Sequence, residues 1–229
     1  MEVIPGVHQI TIRSTNIFLI VEEEITVVDT GFRGSAKRII RAIRNLSRST
    51  DEISLIIITH NHLDHIGGLP GLRRCTSAKV AVHRADLSYS KDGLPYPGYL
   101  KNLMKIPFVS VFWPMVYAKP SDVDIQLVGG EILTPLGGLE VIHTPGHTPG
   151  SISLFSPQKK LLIVGDTINS SHRDLWLTPR SISSDISQAR ESVKRLAQLD
   201  FDILCCGHGK PIIGGASTRL RDWIERKGL

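Results

Sequence analysis

The sequence predicts an α/β fold in which β-sheets pack face to face and helices cover their outer faces. Three observations carry this. Strand-like and helix-like stretches follow one another as strands, helix, strands, helix, twice over. The run Ile53 to Thr59 (ISLIIIT) is apolar almost throughout, as a strand covered on both faces requires. The 229 residues are 41% apolar, and a chain of this size can bury about 70% of its unfolded surface. Neither a repeat of solenoid period nor a dividing linker is visible, so a single domain over 1–229 is expected.

Each element has its own signal. Val7 to Ile12, Asn16 to Val21 and Ile25 to Asp29 alternate between short polar breaks and predict an antiparallel meander, closed by Thr30-Gly31. From about Ser35, Ile39, Ile40, Ile43 and Leu46 fall on one helical face. Ile53 to Thr59 is the buried strand, followed by a Gly-Gly-Leu-Pro-Gly turn region and a short strand from Lys79 to Val82. Leu94 to Pro120 mixes prolines with Tyr96, Tyr99, Phe108, Phe112, Trp113 and Tyr117 and shows no period. A loop that long is uncommon in a compact domain unless it has a function. Strand-like pieces resume at Ile132 to Leu133, Leu139 to His143, Ser151 to Phe155 and Leu161 to Val164. Ser183-Ser184-Asp185 offers caps for a helix with Ile186, Ala189, Val193, Leu196 and Leu199 on one side. A strand at Ile203 to Cys206 and a helix from about Ala216 complete the chain.

Composition excludes several classes. The apolar content rules out a disordered chain, and three cysteines (Cys75, Cys205, Cys206) rule out a disulfide scaffold. Buried or semi-buried thiols in a reducing compartment are the expectation. No basic segment followed by an apolar one opens the chain, and the apolar stretch from Ile106 to Ala118 is broken by Pro107, Ser110 and Pro114. A soluble cytoplasmic protein without membrane contact is expected. The net charge is +5, with Arg33, Lys37, Arg38, Arg41, Arg44 and Arg48 concentrated in one segment. The plain reading is the solvated side of an amphipathic helix. A phosphate-tracking surface is the sharper reading, but no aromatic interleaving or nucleic-acid motif accompanies it.

Thr59-His60-Asn61-His62-Leu63-Asp64-His65 follows the most buried strand. A chain leaving a strand end is free to turn, so alternate side chains can converge. Imidazole nitrogens and carboxylate oxygens together suit a borderline divalent cation. His147, between Gly146 and Pro149-Gly150, Asp166 after Leu161 to Gly165, and His208 between Gly207 and Gly209 each sit at a predicted strand exit. These seven residues are too many for one tetrahedral ion and enough for two.

The ordered set Val27-Val28-Asp29-Thr30-Gly31, His60 to His65, Gly146-His147-Thr148, Gly165-Asp166-Thr167 and Gly207-His208-Gly209 strongly resembles the five motifs of the metallo-β-lactamase superfamily. The resemblance runs from about residue 7 to the C-terminal helix. It implies a four-layer αββα sandwich of two mixed β-sheets with both metals at one edge. By that similarity His60, His62 and His147 hold one ion, Asp64, His65 and His208 hold the other, and Asp166 bridges them. Asp29 orders the ligand loop from behind. His143 matches no ligand position and is read as structural; His8, His83 and His172 are likewise left out.

Asp166, where many β-lactamases carry Cys or Ser, argues against antibiotic hydrolysis, and His62 argues against flavodiiron oxygen reductases. The nearest likeness is to hydroxyacylglutathione hydrolases (glyoxalase II). Two departures stand against glutathione recognition: one helix, not a helical domain, follows His208, and the interval from His65 to His147 is long. The implied chemistry is hydrolysis of a small ester, thioester or lactone by a hydroxide shared between two divalent ions, most readily zinc, with iron or manganese as alternatives. Asp64 or Asp166 would relay the proton. Three other readings stay open: a phosphodiesterase or nuclease, an iron-dependent sulfur dioxygenase, and a binding module without catalysis. The 94–120 insert is read as a substrate wall, a contact between two copies, or a plain surface loop.

Overall fold

The computed structural model describes residues 1–87, 123–171 and 174–229. The 94–120 insert and His172 lie outside these residues. The chain opens with β1 (Glu2–Ile4), β2 (Val7–Ile12), β3 (Thr15–Val21) and β4 (Ile25–Val28), paired antiparallel in sequence. This is the predicted meander with one further strand, β1, ahead of it. α1 (Ala36–Asn45) buries Ala36, Ile39 and Ile43 and turns Lys37, Arg38, Arg41 and Arg44 outward. β5 (Ile53–Ile58) lies parallel to β4.

The His/Asp segment holds a short helix, α2 (Leu63–Ile66), and the Gly-Gly-Leu-Pro-Gly stretch read as a turn instead leads into a second, α3 (Leu69–Arg73). Pro70 sits in the first turn of α3, where its missing N–H costs nothing, so its presence does not signal a break. β6 (Lys79–His83), α4 (Arg84–Leu87) and β7 (Ile125–Leu127) follow, with β5, β6 and β7 parallel. These strands make a seven-stranded sheet in the order β1-β2-β3-β4-β5-β6-β7.

The second sheet is built from β8 (Ile132–Leu133), β9 (Leu139–His143), β10 (Ile152–Ser156) and β11 (Leu161–Ile163). A small hairpin, β12 (Asn169–Ser170) with β13 (Leu175–Trp176), precedes α5 (Ile186–Leu196). Asp185 caps α5 by accepting the Ser187 and Gln188 N–H groups at 2.9 and 3.1 Å. β14 (Ile203–Cys205), β15 (Ile212–Ile213) and α6 (Ala216–Lys227) finish the chain. The strand order of this sheet is β15-β14-β11-β10-β9-β8, with β11 and β14 parallel and the other pairs antiparallel.

Three apolar layers hold the sheets and helices together. Ile39 and Ile43 of α1 pack on Ile56 and Ile58 of β5. Ile57 points the other way, into the space between the sheets with Val141, Leu154 and Ile163. Val193 and Leu196 of α5, with Leu220 and Trp223 of α6, cover the outer face of the second sheet at Leu162 and Leu204. The arrangement is helix, sheet, sheet, helix. It explains the unbroken apolar run of β5, whose two faces are both covered. Among the described residues no helix is long and apolar enough to cross a membrane.

Candidate metal centre

The polar residues of the site arrive one strand exit at a time. β4, β5 and β6 are parallel, so the chain leaves all three at one edge of the first sheet. Asp29 follows β4, His60 lies two residues past β5, and Asp86 lies three residues past β6. In the second sheet β9, β11 and β14 run in one direction, and the loops after them carry His147, Asp166 and His208.

The seven side chains singled out in the sequence meet in three overlapping groups. These are His60 with His62 and His147, His60 with His65 and Asp166, and Asp64 with His65 and His208; within each group the donor atoms lie within 4.8 Å of one another. Asp166 stands between the groups. Its Oδ1 is 3.4 Å from His65 Nε2, and its Oδ2 is 3.3 Å from His208 Nε2 and 3.7 Å from His147 Nε2. Asp64 Oδ2 lies 3.3 Å from His208 Nε2 and 3.5 Å from His65 Nε2, and it accepts the Thr15 hydroxyl at 3.0 Å.

Hydrogen bonds behind the cluster fix three of the rings. Asp29 is buried, with φ at +62°, a conformation that Asp tolerates better than most residues. Its Oδ1 accepts the Thr59 N–H at 2.8 Å, and its Oδ2 accepts the Thr59 hydroxyl and His65 Nδ1–H, each at 2.7 Å. With the hydroxyl proton given to Asp29, the Thr59 oxygen accepts from His60 Nδ1 at 3.1 Å. The Ser14 carbonyl accepts from His208 Nδ1 at 2.8 Å. These partners assign the tautomers and turn the Nε2 of His60, His65 and His208 toward the cluster.

Electrostatics divides the cluster in two. Burial pushes His60, His62 and His147 down, His147 to about 3, so these rings are neutral donors. Burial acts the same way on His65 and His208, but carboxylates outweigh it. Asp29 and Asp166 hold His65 well above its usual value, and Asp166 and Asp64 bring His208 up to about 10. Burial also opposes ionisation of Asp64 and Asp166. His208 beside Asp64, and His65 beside Asp166, overcome it and hold both carboxyls below the usual carboxylate range.

Two observations show that a divalent cation fits here. His65 Nε2 and Asp166 Oδ1 are buried without a hydrogen-bond partner among the described residues. His60 Nε2 and His147 Nε2 face each other at 3.2 Å, although His60 already carries its proton on Nδ1. The unpartnered Asp166 oxygen and the ring nitrogens crowded around it form an imidazole-carboxylate donor set that suits zinc, iron or manganese.

One contributor escapes the sequence reading. Asp86 is buried and ties the two ligand-bearing loops together. Its Oδ2 accepts the Asn61 N–H and the Thr148 hydroxyl, both at 2.9 Å, and its Oδ1 accepts the Gly150 N–H at 2.6 Å. The place of Asp86 shortly after the strand expected at Lys79 to Val82 is the one partial signal, and its adjacency to the His60 exit comes only from the parallel pairing of β5 and β6. His143 does not reach the cluster. Its ring stacks on His83 at 4.0 Å and its Nε2 hydrogen-bonds the Pro149 carbonyl at 2.8 Å. His8 lies on β2, 4.0 Å from Glu2. Cys205 and Cys206 are buried as expected, whereas Cys75 is exposed.

Residues 10–208 match the profile of the metallo-beta-lactamase superfamily. Hydroxyacylglutathione hydrolase GloC of Haemophilus influenzae is 27% identical, with 99% of each chain covered. The uncharacterised protein YobT of Bacillus subtilis is 31% identical over 92% of this chain and 89% of its own. Among solved structures, a metallo-beta-lactamase family protein of Thermus thermophilus superposes with a TM-score of 0.71 at 20% identity, covering 98% of this chain and 80% of that one. That likeness concerns the fold alone.

Proposed function

We propose, from the premise that the chain belongs to the metallo-β-lactamase superfamily, that it is a metal-dependent hydrolase of small esters, thioesters or lactones. The observation that carries the reading is the overlap of the three donor groups, which share His60 and His65 around Asp166. In this reading His60, His62 and His147 would hold one ion and Asp64, His65 and His208 a second, with Asp166 standing between the two groups. Zinc is the foremost candidate. Divalent ions bound there supply Lewis acidity toward a carbonyl oxygen and bring the pKa of water to about 7.

The chain's own residues prepare the centre for that chemistry. Asp29, Thr59 and Ser14 lock the ring orientations, so little reorganisation is needed as charge develops. His62, Asp64 and His208 are the partly exposed members of the set, and a substrate approaches over them. Asp64 and Asp166 are the carboxylates placed beside the cluster to relay a proton, with the Thr15 hydroxyl keeping Asp64 in place. The likeness to GloC over 99% of each chain supports thioesters of hydroxy acids as substrates.

The test is metal analysis of untagged protein followed by turnover on thioesters, lactones and phosphodiesters, with oxygen uptake measured in parallel. Turnover of the first two classes without oxygen uptake is expected. Asp166→Ala and His62→Ala should each lower both metal content and kcat/KM by at least about a hundredfold, several kcal/mol of transition-state stabilisation. Near-normal values in both variants refute the proposal.

A further inference from the structure

Beside the metal centre the first sheet and its helices enclose a groove of about 820 Å³. Its floor is apolar, from Phe32, Ile40, Leu63, Ile66 and Pro70, and its lining includes Arg13, Arg33, Lys37 and Arg74 but, among the described residues, no carboxylate. All four cationic side chains are exposed, and none has a carboxylate within 4 Å among the described residues. Arg13 lies over the Phe32 ring, 5.0 Å from its centroid, so one end of the apolar floor carries a fixed positive charge.

The groove shares two walls with the proposed centre. Leu63 stands between His62 and Asp64 in the chain. Arg13 is followed by Ser14 and Thr15, which hydrogen-bond His208 and Asp64. Four cations around an apolar trough, without a carboxylate partner among the described residues, attract an anion and, beside it, an apolar body. A purely apolar ligand leaves the cations unused, and a fully polar polyanion leaves the floor exposed. We propose that this groove binds a soluble anionic amphiphile, a phosphate or carboxylate group carried on a short alkyl or acyl chain, and that it seats the distal end of the substrate. The second half of the statement rests on the hydrolase reading above; the first half does not.

Cys75 lines the groove and is the exposed thiol of the three cysteines, so its alkylation reports occupancy directly. The metal-loaded protein is treated with iodoacetamide in the presence of n-octyl phosphate below its micelle concentration. Alkylation of Cys75 should slow at least tenfold, and the concentration needed should rise at least tenfold in the double variant Arg33→Glu/Lys37→Glu. Equal protection by n-octyl glucoside or by inorganic phosphate, or absence of protection by n-octyl phosphate, overturns the proposal. Stronger protection by vesicles of anionic phospholipid than by the same concentration of n-octyl phosphate also overturns it, in favour of a membrane surface.

A second measurement compares esters with and without a terminal phosphate or carboxylate. A preference of at least tenfold in kcat/KM for the anionic members is expected. It should collapse in the charge-reversed variant through KM, with kcat retained. Binding of n-octyl phosphate without turnover of any ester sinks the hydrolase reading and leaves the groove standing. Turnover of both ester classes without preference, and without protection of Cys75, sinks the groove and leaves the hydrolase standing.

Discussion

Asp29 Oδ2 accepts the Nδ1–H of His65 at 2.7 Å, with both side chains buried. The same carboxylate receives the Thr59 N–H and hydroxyl, and through Thr59 it sets the ring of His60. Three donors therefore converge on a group that itself faces no ion. Asp29→Asn keeps a residue that tolerates the positive φ, but it turns an NH2 group against at least one of those donors. Metal content and kcat/KM should fall together by about 10- to 100-fold, the usual cost of losing such a partner. Elemental analysis and steady-state kinetics check this, and a circular dichroism spectrum like the parent's shows that the fold survives. Full metal content with unchanged kinetics contradicts the role.

Asp86 gives a prediction in pH. Burial outweighs the hydrogen bonds from Thr148, Gly150 and Asn61 and raises its carboxyl from 3.8 to about 6. The folded chain thus holds this proton more tightly than the unfolded chain does. The associated stability is fully present below pH 4 and is lost as pH rises through 6, about 3 kcal/mol in all and about 2 kcal/mol of it between pH 4 and 7. Asp86→Asn does not titrate, although it carries a constant cost because its NH2 faces an N–H or the Thr148 hydroxyl. The advantage of the parent over Asp86→Asn should therefore shrink by about 2 kcal/mol between pH 4 and 7. Urea unfolding of metal-stripped protein at both pH values measures it; a difference that stays constant or grows refutes the assignment.

The contrast between Asp86 and His60 shows what is legible in the sequence. His60 follows seven residues, Ile53 to Thr59, that read as a buried strand, and its neighbours are themselves ligand types, so its place is visible without a structure. Asp86 sits in His83-Arg84-Ala85-Asp86-Leu87, which carries neither a strand-like run nor a cluster of ligand types around it. Its role depends on β6 pairing parallel to β5, which brings the exits of the two strands side by side. Thr15 is hidden for the same reason, since its hydroxyl finds Asp64 only after the β2–β3 hairpin is laid against the His208 loop. α3 escapes detection because Pro70 in a first helical turn looks the same in sequence as Pro in a loop. That β5 is covered on both faces is legible in the sequence, because Ile56, Ile57 and Ile58 leave no polar face on it, whereas the four-layer order comes from the family resemblance.

Gly207 tests how tightly the second sheet delivers its ligands. A Cβ at this position would lie 2.1 Å from Asp166 Oδ1 and 2.9 Å from His65 Cε1. Neither neighbour can retreat freely, because His65 is held by Asp29 and both are buried. Gly207→Ala should displace Asp166 and lower metal content at least tenfold while the protein stays folded. Gly34→Ala, at φ +91° but with nothing within 4 Å, provides the control. It should lose about 1 kcal/mol of stability from the backbone alone and keep its metal. Equal metal loss in the two variants would mean that contact with Asp166 is not the cause.

His143 lies four residues before His147 and is the nearest histidine in sequence to that ring, which makes it the sharpest negative test. Its ring is engaged with His83 at an interplanar angle of 14°, and its Nε2 with the Pro149 carbonyl. Replacement by Phe keeps a flat ring for the stack and removes only the hydrogen bond, worth about 1 kcal/mol. Metal content should therefore match the parent, with a small drop in melting temperature. His147→Phe should instead lose metal, because its Nε2 faces both His60 and Asp166. The loop from Thr144 to Gly150 follows His143 directly and carries His147, so a general disturbance of that loop would lower metal content in both variants. Only the split between them shows that metal follows the ring facing the cluster and not the loop that bears it.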